Sequence, residues 1–176
     1  MFFIETELKD AYIIDLDRRE DNRGFFARTW AQDEFEAHGL VSRVLQANLS
    51  FNHTKGTLRG MHFQHAPYAE TKLVRCVRGA IYDVIVDLRP ESPTYKRWLG
   101  VELTAENRRA FYVPEGFAHG FQTLEDNVEV MYQVSQVYTP GAEGGYRYDD
   151  PAFEISWPLP VTVISDKDTK WPAFAS

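Results

Sequence analysis

The chain has 176 residues with a formal net charge of −7; 44% of them are hydrophobic and 26% charged. That length suits one domain with a self-sufficient core, expected to span residues 1–176, and the composition excludes wholesale disorder. The acidic balance argues against nucleic acid as a partner, no run approaches the ~18 apolar residues of a membrane span, and a single cysteine, Cys76, excludes both an internal disulfide and a cysteine-built zinc site.

The amino end reads Met1-Phe2-Phe3-Ile4 and then turns acidic, too short an apolar run for a signal core, so a cytoplasmic protein is expected. Short runs rich in aromatic and β-branched residues then recur to the end of the chain. The predicted strands are 11–16, 24–30, 43–50, 57–63, 72–78, 80–88, 98–103, 110–113, 117–124, 128–138 and 161–164. Turn residues separate many of them, including Asp21-Asn22, Arg78-Gly79, Glu115-Gly116 and Asp126-Asn127. One helix is expected over 33–38 with Gly39 closing it, and a short turn over 105–108. Regular short strands at this spacing predict a mainly β fold, an antiparallel sandwich or barrel with one or two short helices.

Several strands carry polar residues where a barrel interior needs apolar ones. Arg59, His62 and Gln64 share one strand, and simple alternation puts Arg59 and His62 on opposite faces. Both can point inward only if Gly60 marks a bulge or bend. Lys72 opens an apolar run, Asp83 interrupts another, His119 follows Pro114-Glu115-Gly116-Phe117-Ala118, and Tyr132 lies in a fourth. Each alone reads as ordinary packing or a turn. Together they predict a polar pocket inside an apolar barrel, because buried polar groups need partners.

The spacing resembles the cupin jelly roll, whose first motif is G-x5-H-x-H followed by a glutamate with six residues between it and a glycine. Gly56 and His62 keep that frame, Gln64 replaces the second histidine, and Lys72 takes the glutamate's place ahead of Gly79. Pro114, Gly116 and His119 match the second motif, P-x-G-x2-H. Glutamine replaces one of the four ligands and an ammonium another, and an ammonium beside two histidines repels a divalent ion, so no metal and no cofactor are expected.

Along nearly its whole length the chain resembles the dTDP-4-dehydrorhamnose 3,5-epimerase family. The resemblance is carried by Asn22-Arg23-Gly24-Phe25-Phe26, Gln46-Ala47-Asn48, Leu58-Arg59-Gly60-Met61-His62-Phe63-Gln64, Lys72-Leu73-Val74-Arg75 and the segment from Asp83 to Arg89. Pro114 to Phe121, Tyr138-Thr139-Pro140, Glu143-Gly144 and Ser165-Asp166-Lys167-Asp168 continue it in order. It implies a nucleotide-linked 4-keto-6-deoxy sugar as substrate. The C3 and C5 protons flank the ketone, so inversion takes a base on one face, an acid on the other and a cation at the ketone oxygen. The resemblance makes His62 the base, Asp168 its orienting partner, Lys72 the enolate stabiliser and Tyr132 the opposite-face donor, with Asp83 and His119 as polar pocket residues. It further implies Arg59, Arg23 and Lys167 for diphosphate and nucleotide, Phe26 and Tyr138 for stacking on the base, and Gln46, Asn48 and Glu143 for hydrogen bonds. A homodimer is implied too, with edge strands near the amino end as the pairing surface.

One departure is sharp. Many family members carry a glutamate where this chain has Arg28, and arginine cannot accept a hydrogen bond from a base. Arg28 either meets the nucleotide by stacking or pairing, or turns to solvent or to a dimer partner while thymidine still binds. The alternatives to a 3,5-epimerase are a single-site 3- or 5-epimerase acting on a CDP- or GDP-linked sugar, a metal cupin enzyme, and a sugar-nucleotide-binding module without catalysis.

Overall fold

The computed structural model describes residues 1–174, so the end of the expected 1–176 domain, residues 175 and 176, lies outside the described residues. In chain order the strands are β1 (Phe2–Glu5), β2 (Tyr12–Asp15), β3 (Arg19–Asp21) and β4 (Gly24–Phe26), then helix α1 (Gln32–Ala37). There follow β5 (Gln46–Asn52), β6 (Thr57–Gln64), β7 (Lys72–Arg78), β8 (Ala80–Asp87), β9 (Trp98–Thr104) and β10 (Ala110–Val113). The chain ends with β11 (Phe117–Thr123), β12 (Val128–Val134), β13 (Glu143–Gly145), β14 (Val163–Ile164) and a 3₁₀ turn at Asp168–Lys170. This is the mainly β class that the sequence predicts.

Two sheets face each other. The first runs β1-β2-β10-β7-β12-β5; the second runs β13-β6-β11-β8-β9, with β14 added beside β6. Every pairing is antiparallel except β14 with β6, which is parallel. Alternation decides what lies between the sheets. Val74 and Cys76 of β7, Ile81 and Ile85 of β8, Phe117 and Phe121 of β11, and Val128 and Val130 of β12 form one buried cluster. The same inward rows continue into Lys72, Asp83, His119 and Tyr132, so one polar residue per strand interrupts an otherwise apolar filling.

The outer faces are covered unevenly. Helix α1 has Ala31 before it and no side-chain cap, so its place is set by burying Phe35, which meets Phe3 edge-on at 5.2 Å. Gly39 then takes φ +69 and donates to the Glu36 carbonyl, closing the helix as predicted. The C-terminal segment covers the second sheet with Phe153, Ile155 and Trp157.

Several boundaries differ from expectation. The strands β1, β3 and β13 were not among the predicted runs, and 43–50 begins only at Gln46. The predicted 24–30 shortens to β4, which pairs only with β3 to form a separate two-stranded arm. The predicted 128–138 stops at Val134 because side chains take over beyond it: Gln46 accepts from the Tyr138 amide, and Gln64 bonds the Val137 carbonyl and Thr139 amide. Backbone groups satisfied that way need no ladder.

Candidate active site

The site begins with an irregularity in β6. His119 pairs with His62, and Phe121 with Arg59, so two steps along β11 match three along β6. That extra residue is the bulge that Gly60 permits. Gly60 has φ +131, and a Cβ there would lie 2.6 Å from the Gly120 Cα, so only glycine fits. The bulge turns Arg59 and His62 to the same cavity, about 390 Å³, which Lys72, His119, Phe121, Val130 and Tyr132 also line.

His62 is held from behind. Its Nε2 donates to Asp168 Oδ1 at 2.6 Å, while the Trp171 indole N–H donates to the same oxygen at 3.2 Å and the Gly60 amide to Oδ2 at 3.2 Å. Burial pushes the Asp168 carboxyl up, but these donors, His62 foremost, outweigh it and hold the group below its usual range. An ionised carboxylate only accepts, so Nε2 carries the proton and Nδ1 of neutral His62 keeps its lone pair. A second pair lies alongside: His119 Nε2 donates to the buried Asp83 Oδ1 at 2.8 Å.

Lys72 and Tyr132 come from the first sheet and face the histidines of the second. Lys72 is nearly buried and stands 3.3 Å from Glu70 Oε1. Burial, then the negative charge of Glu70, raise the Tyr132 phenol above its ordinary pKa, with Arg59 opposing. A proton acceptor, a cation and a neutral phenol thus surround one cavity, arranged for proton transfer beside a group that develops negative charge.

A family model described as dTDP-4-dehydrorhamnose 3,5-epimerase matches residues 5–176. The enzyme of that name from Methanothermobacter thermautotrophicus is 45% identical over 172 residues, covering 96% of this chain and 92% of that one. The chain belongs to the dTDP-4-dehydrorhamnose 3,5-epimerase family. The crystal structure of the Bacillus anthracis 3,5-epimerase with TDP and pyrophosphate bound superposes with a TM-score of 0.94, at 42% identity over 98% of this chain and 99% of that one. A Streptomyces niveus protein named dTDP-4-dehydrorhamnose 3-epimerase is 41% identical over 162 residues, covering 92% of this chain and 78% of its own.

In this member of the epimerase family the remaining predicted residues fall into two groups. Gln46, Asn48, Tyr138 and Glu143 continue the cavity on the side of His62, Lys72 and Tyr132. Tyr138 reaches Glu143 with its hydroxyl at 3.3 Å, and Lys167 also pairs with Glu143. Arg59 donates to Asn52 Oδ1 at 2.7 Å. Arg23, Phe26 and Arg28, in contrast, are not gathered into this cavity. Arg23 pairs with Asp21 on the β3–β4 arm, and Phe26 is 71% exposed. Arg28 pairs with Glu34 at 3.3 Å, whose other oxygen holds the Met1 amine at 2.7 Å.

Sequence reasoning missed Glu70, which lies in the cavity wall two positions before Lys72. Its only signal was a carboxylate directly ahead of a strand that opens on lysine. Neither Gln64 nor Lys72 offers a metal a free donor: the Gln64 amide is spent on protein partners, and Lys72 is a cation beside Glu70. Among the described residues no helix is long and apolar enough to cross a membrane.

Proposed function

We propose that this epimerase inverts C3 and C5 of a dTDP-linked 4-keto-6-deoxyhexose, converting dTDP-4-dehydro-6-deoxyglucose into dTDP-4-dehydrorhamnose. The reading rests on one observation above all. His62, fixed by Asp168 at 2.6 Å, and Tyr132 rise from opposite sheets around one cavity whose wall carries Lys72. A sugar ring between the sheets would have a base on one face and a phenol on the other.

The steps then follow. His62 Nδ1 takes the proton from the carbon beside the ketone, and the electron pair moves onto the ketone oxygen as an enolate. The Lys72 ammonium pairs with that oxygen. Tyr132 returns a proton to the carbon from the opposite face, and the configuration inverts. Burial supports the donor role, since it keeps Tyr132 protonated at neutral pH. Arg59 and Lys167 would meet the diphosphate, and Tyr138, Gln46 and Asn48 the base. No metal takes part in this scheme.

A homodimer accounts for the residues that lie apart. Every residue of β3 and β4 is exposed, and the arm carries Arg23 and Phe26. On the edge strand β5, Leu49 and Phe51 form an exposed apolar row with Met131 of the neighbouring β12. We infer that a second copy covers this face and that the arm brings Arg23 and Phe26 to its partner's cavity, while Arg28 stays with Glu34 of its own chain. The single, buried cysteine asks for no oxidising compartment, in keeping with cytoplasmic work by one domain.

The test offers several nucleotide-linked 4-keto sugars in heavy water. Deuterium at both C3 and C5 of the thymidine-linked sugar is the expected result. Deuterium at C3 alone would support the second reading, a 3-epimerase like its Streptomyces niveus relative, and no deuterium at either carbon overturns both.

A further inference from the structure

One carboxylate in the cavity wall has no part in the scheme above. Glu70 precedes β7, and its side chain is only 13% exposed. Both of its oxygens are committed. Oε1 stands 3.3 Å from the Lys72 ammonium, and Oε2 accepts from Gln64 Nε2 at 3.2 Å. Gln64 is itself anchored, its two N–H groups shared among Glu70 and the Tyr68 and Val137 carbonyls and its oxygen accepting from the Thr139 amide at 2.8 Å. It therefore fixes Glu70 against two loops at once, the one before β7 and the one after β12 that carries Tyr138.

A fixed anion beside the cation that must meet an enolate has a physical reason. Lysine has a long, flexible stem, and its charge is costly to hold in a nearly dry wall without a partner. A carboxylate anchored from behind supplies that partner and limits where the ammonium can sit. We propose that Glu70 is a positioning residue of the epimerase reaction, holding the Lys72 ammonium in the cavity wall between the base and the facing proton donor. The proposal rests on the epimerase reading.

The same charge acts along the cavity wall on Tyr132, which the neighbouring β12 contributes. The charged or titratable groups lining the cavity with that phenol are Lys72 from β7, Arg59 and His62 from β6, His119 from β11 with Asp83 of β8 behind it, Glu143 of β13, and Tyr138 and Glu70 from the loops. After burial, Glu70 is the main cause that raises the phenol, with Arg59 opposing it. Removing the Glu70 charge should let Tyr132 lose its proton at lower pH.

Glu70→Gln keeps the length of the side chain and an acceptor for Lys72 but removes the charge. Deuterium incorporation from heavy water is followed from neutral to alkaline pH in the full chain, with folding checked by circular dichroism. The expected result is a kcat lowered about fivefold or more with KM changed less than about twofold, and an alkaline limb moved down by about half a pH unit or more. Glu70→Asp, which restores the charge on a shorter stem, should return the limb toward its original place. A limb that does not move in Glu70→Gln overturns the proposal, even where kcat falls, because a merely structural role lowers activity without changing the titration. Absence of exchange in the unmodified protein overturns the epimerase reading and this proposal with it; exchange there with an unmoved limb overturns the proposal alone.

Discussion

Replacing Asp168 with asparagine removes a charge and one acceptor while leaving the shape intact. Three donors converge on the carboxylate: His62 Nε2–H and the Trp171 indole on Oδ1, and the Gly60 amide on Oδ2. Asparagine offers one oxygen and one NH₂. With the NH₂ toward Gly60, two donors face each other in a site only 5% exposed. With the NH₂ toward His62, the imidazole must present its lone pair at Nε2 and carry its proton on Nδ1, the atom assigned to the sugar. Losing one buried hydrogen bond to a charged group costs about 1.5–3 kcal/mol of stability. Losing the base in its working tautomer costs about 10²–10⁴ in rate, equivalent to ~3–5 kcal/mol of barrier. Activity should therefore suffer more than folding. The stability difference should also depend on pH. A carboxyl held below its usual range contributes stability above the unfolded-state value, near pH ~4, and that contribution is lost as pH falls through the folded-state value. Urea unfolding should show the gap between wild type and Asp168→Asn at neutral pH and its narrowing in acid. Deuterium exchange at C3 and C5, followed by NMR, reads the activity. Exchange within about tenfold of wild type would refute the orienting role of Asp168.

Three further outcomes follow. His62→Asn should abolish exchange at every carbon that exchanges in wild type, whereas Tyr132→Phe should slow completed inversion more than the first exchange; equal losses at both stages would remove the division of labour. Chelation followed by elemental analysis should leave turnover unchanged, since Gln64 and Lys72 occupy two ligand positions of the cupin frame, and activity restored only by a divalent ion would refute that argument. Calorimetry with thymidine, cytidine, guanosine and uridine diphosphates should rank thymidine first, and Arg28→Glu should change that affinity less than about threefold because Arg28 is an exposed partner of Glu34; a changed base preference would show that Arg28 reads the nucleotide.

Most of the fold was legible in the sequence because a strand writes its face at period two. Lys72, Asp83, His119 and Tyr132 each interrupted an apolar row, and each lies inside. The overlong strand ends where side chains replaced the ladder, beyond Val134, and β3–β4 lies where a ribbon left the barrel, whereas the missed β1 and β13 are edge strands of four and three residues, too short to show alternation. None of these leaves a periodic trace.

The sequence by itself determined the strand faces, the glycine at which β6 had to bend and the exchange of metal ligands for an amide and an ammonium. These are local matters, decided by a residue and its near neighbours. Only the tertiary structure decided which distant groups meet. His62 and Asp168 are separated by 106 positions and joined by one hydrogen bond, and nothing in their spacing announces it; the family resemblance had to supply that pair. Gln64 reaches forward 73 positions to Val137 while also fixing Glu70, and the Arg23 arm lies apart from the cavity of its own chain. The reason is physical. Alternation fixes the side of a strand on which a residue stands, but its neighbours across the barrel depend on the order of strands in two sheets, which the whole chain settles at once.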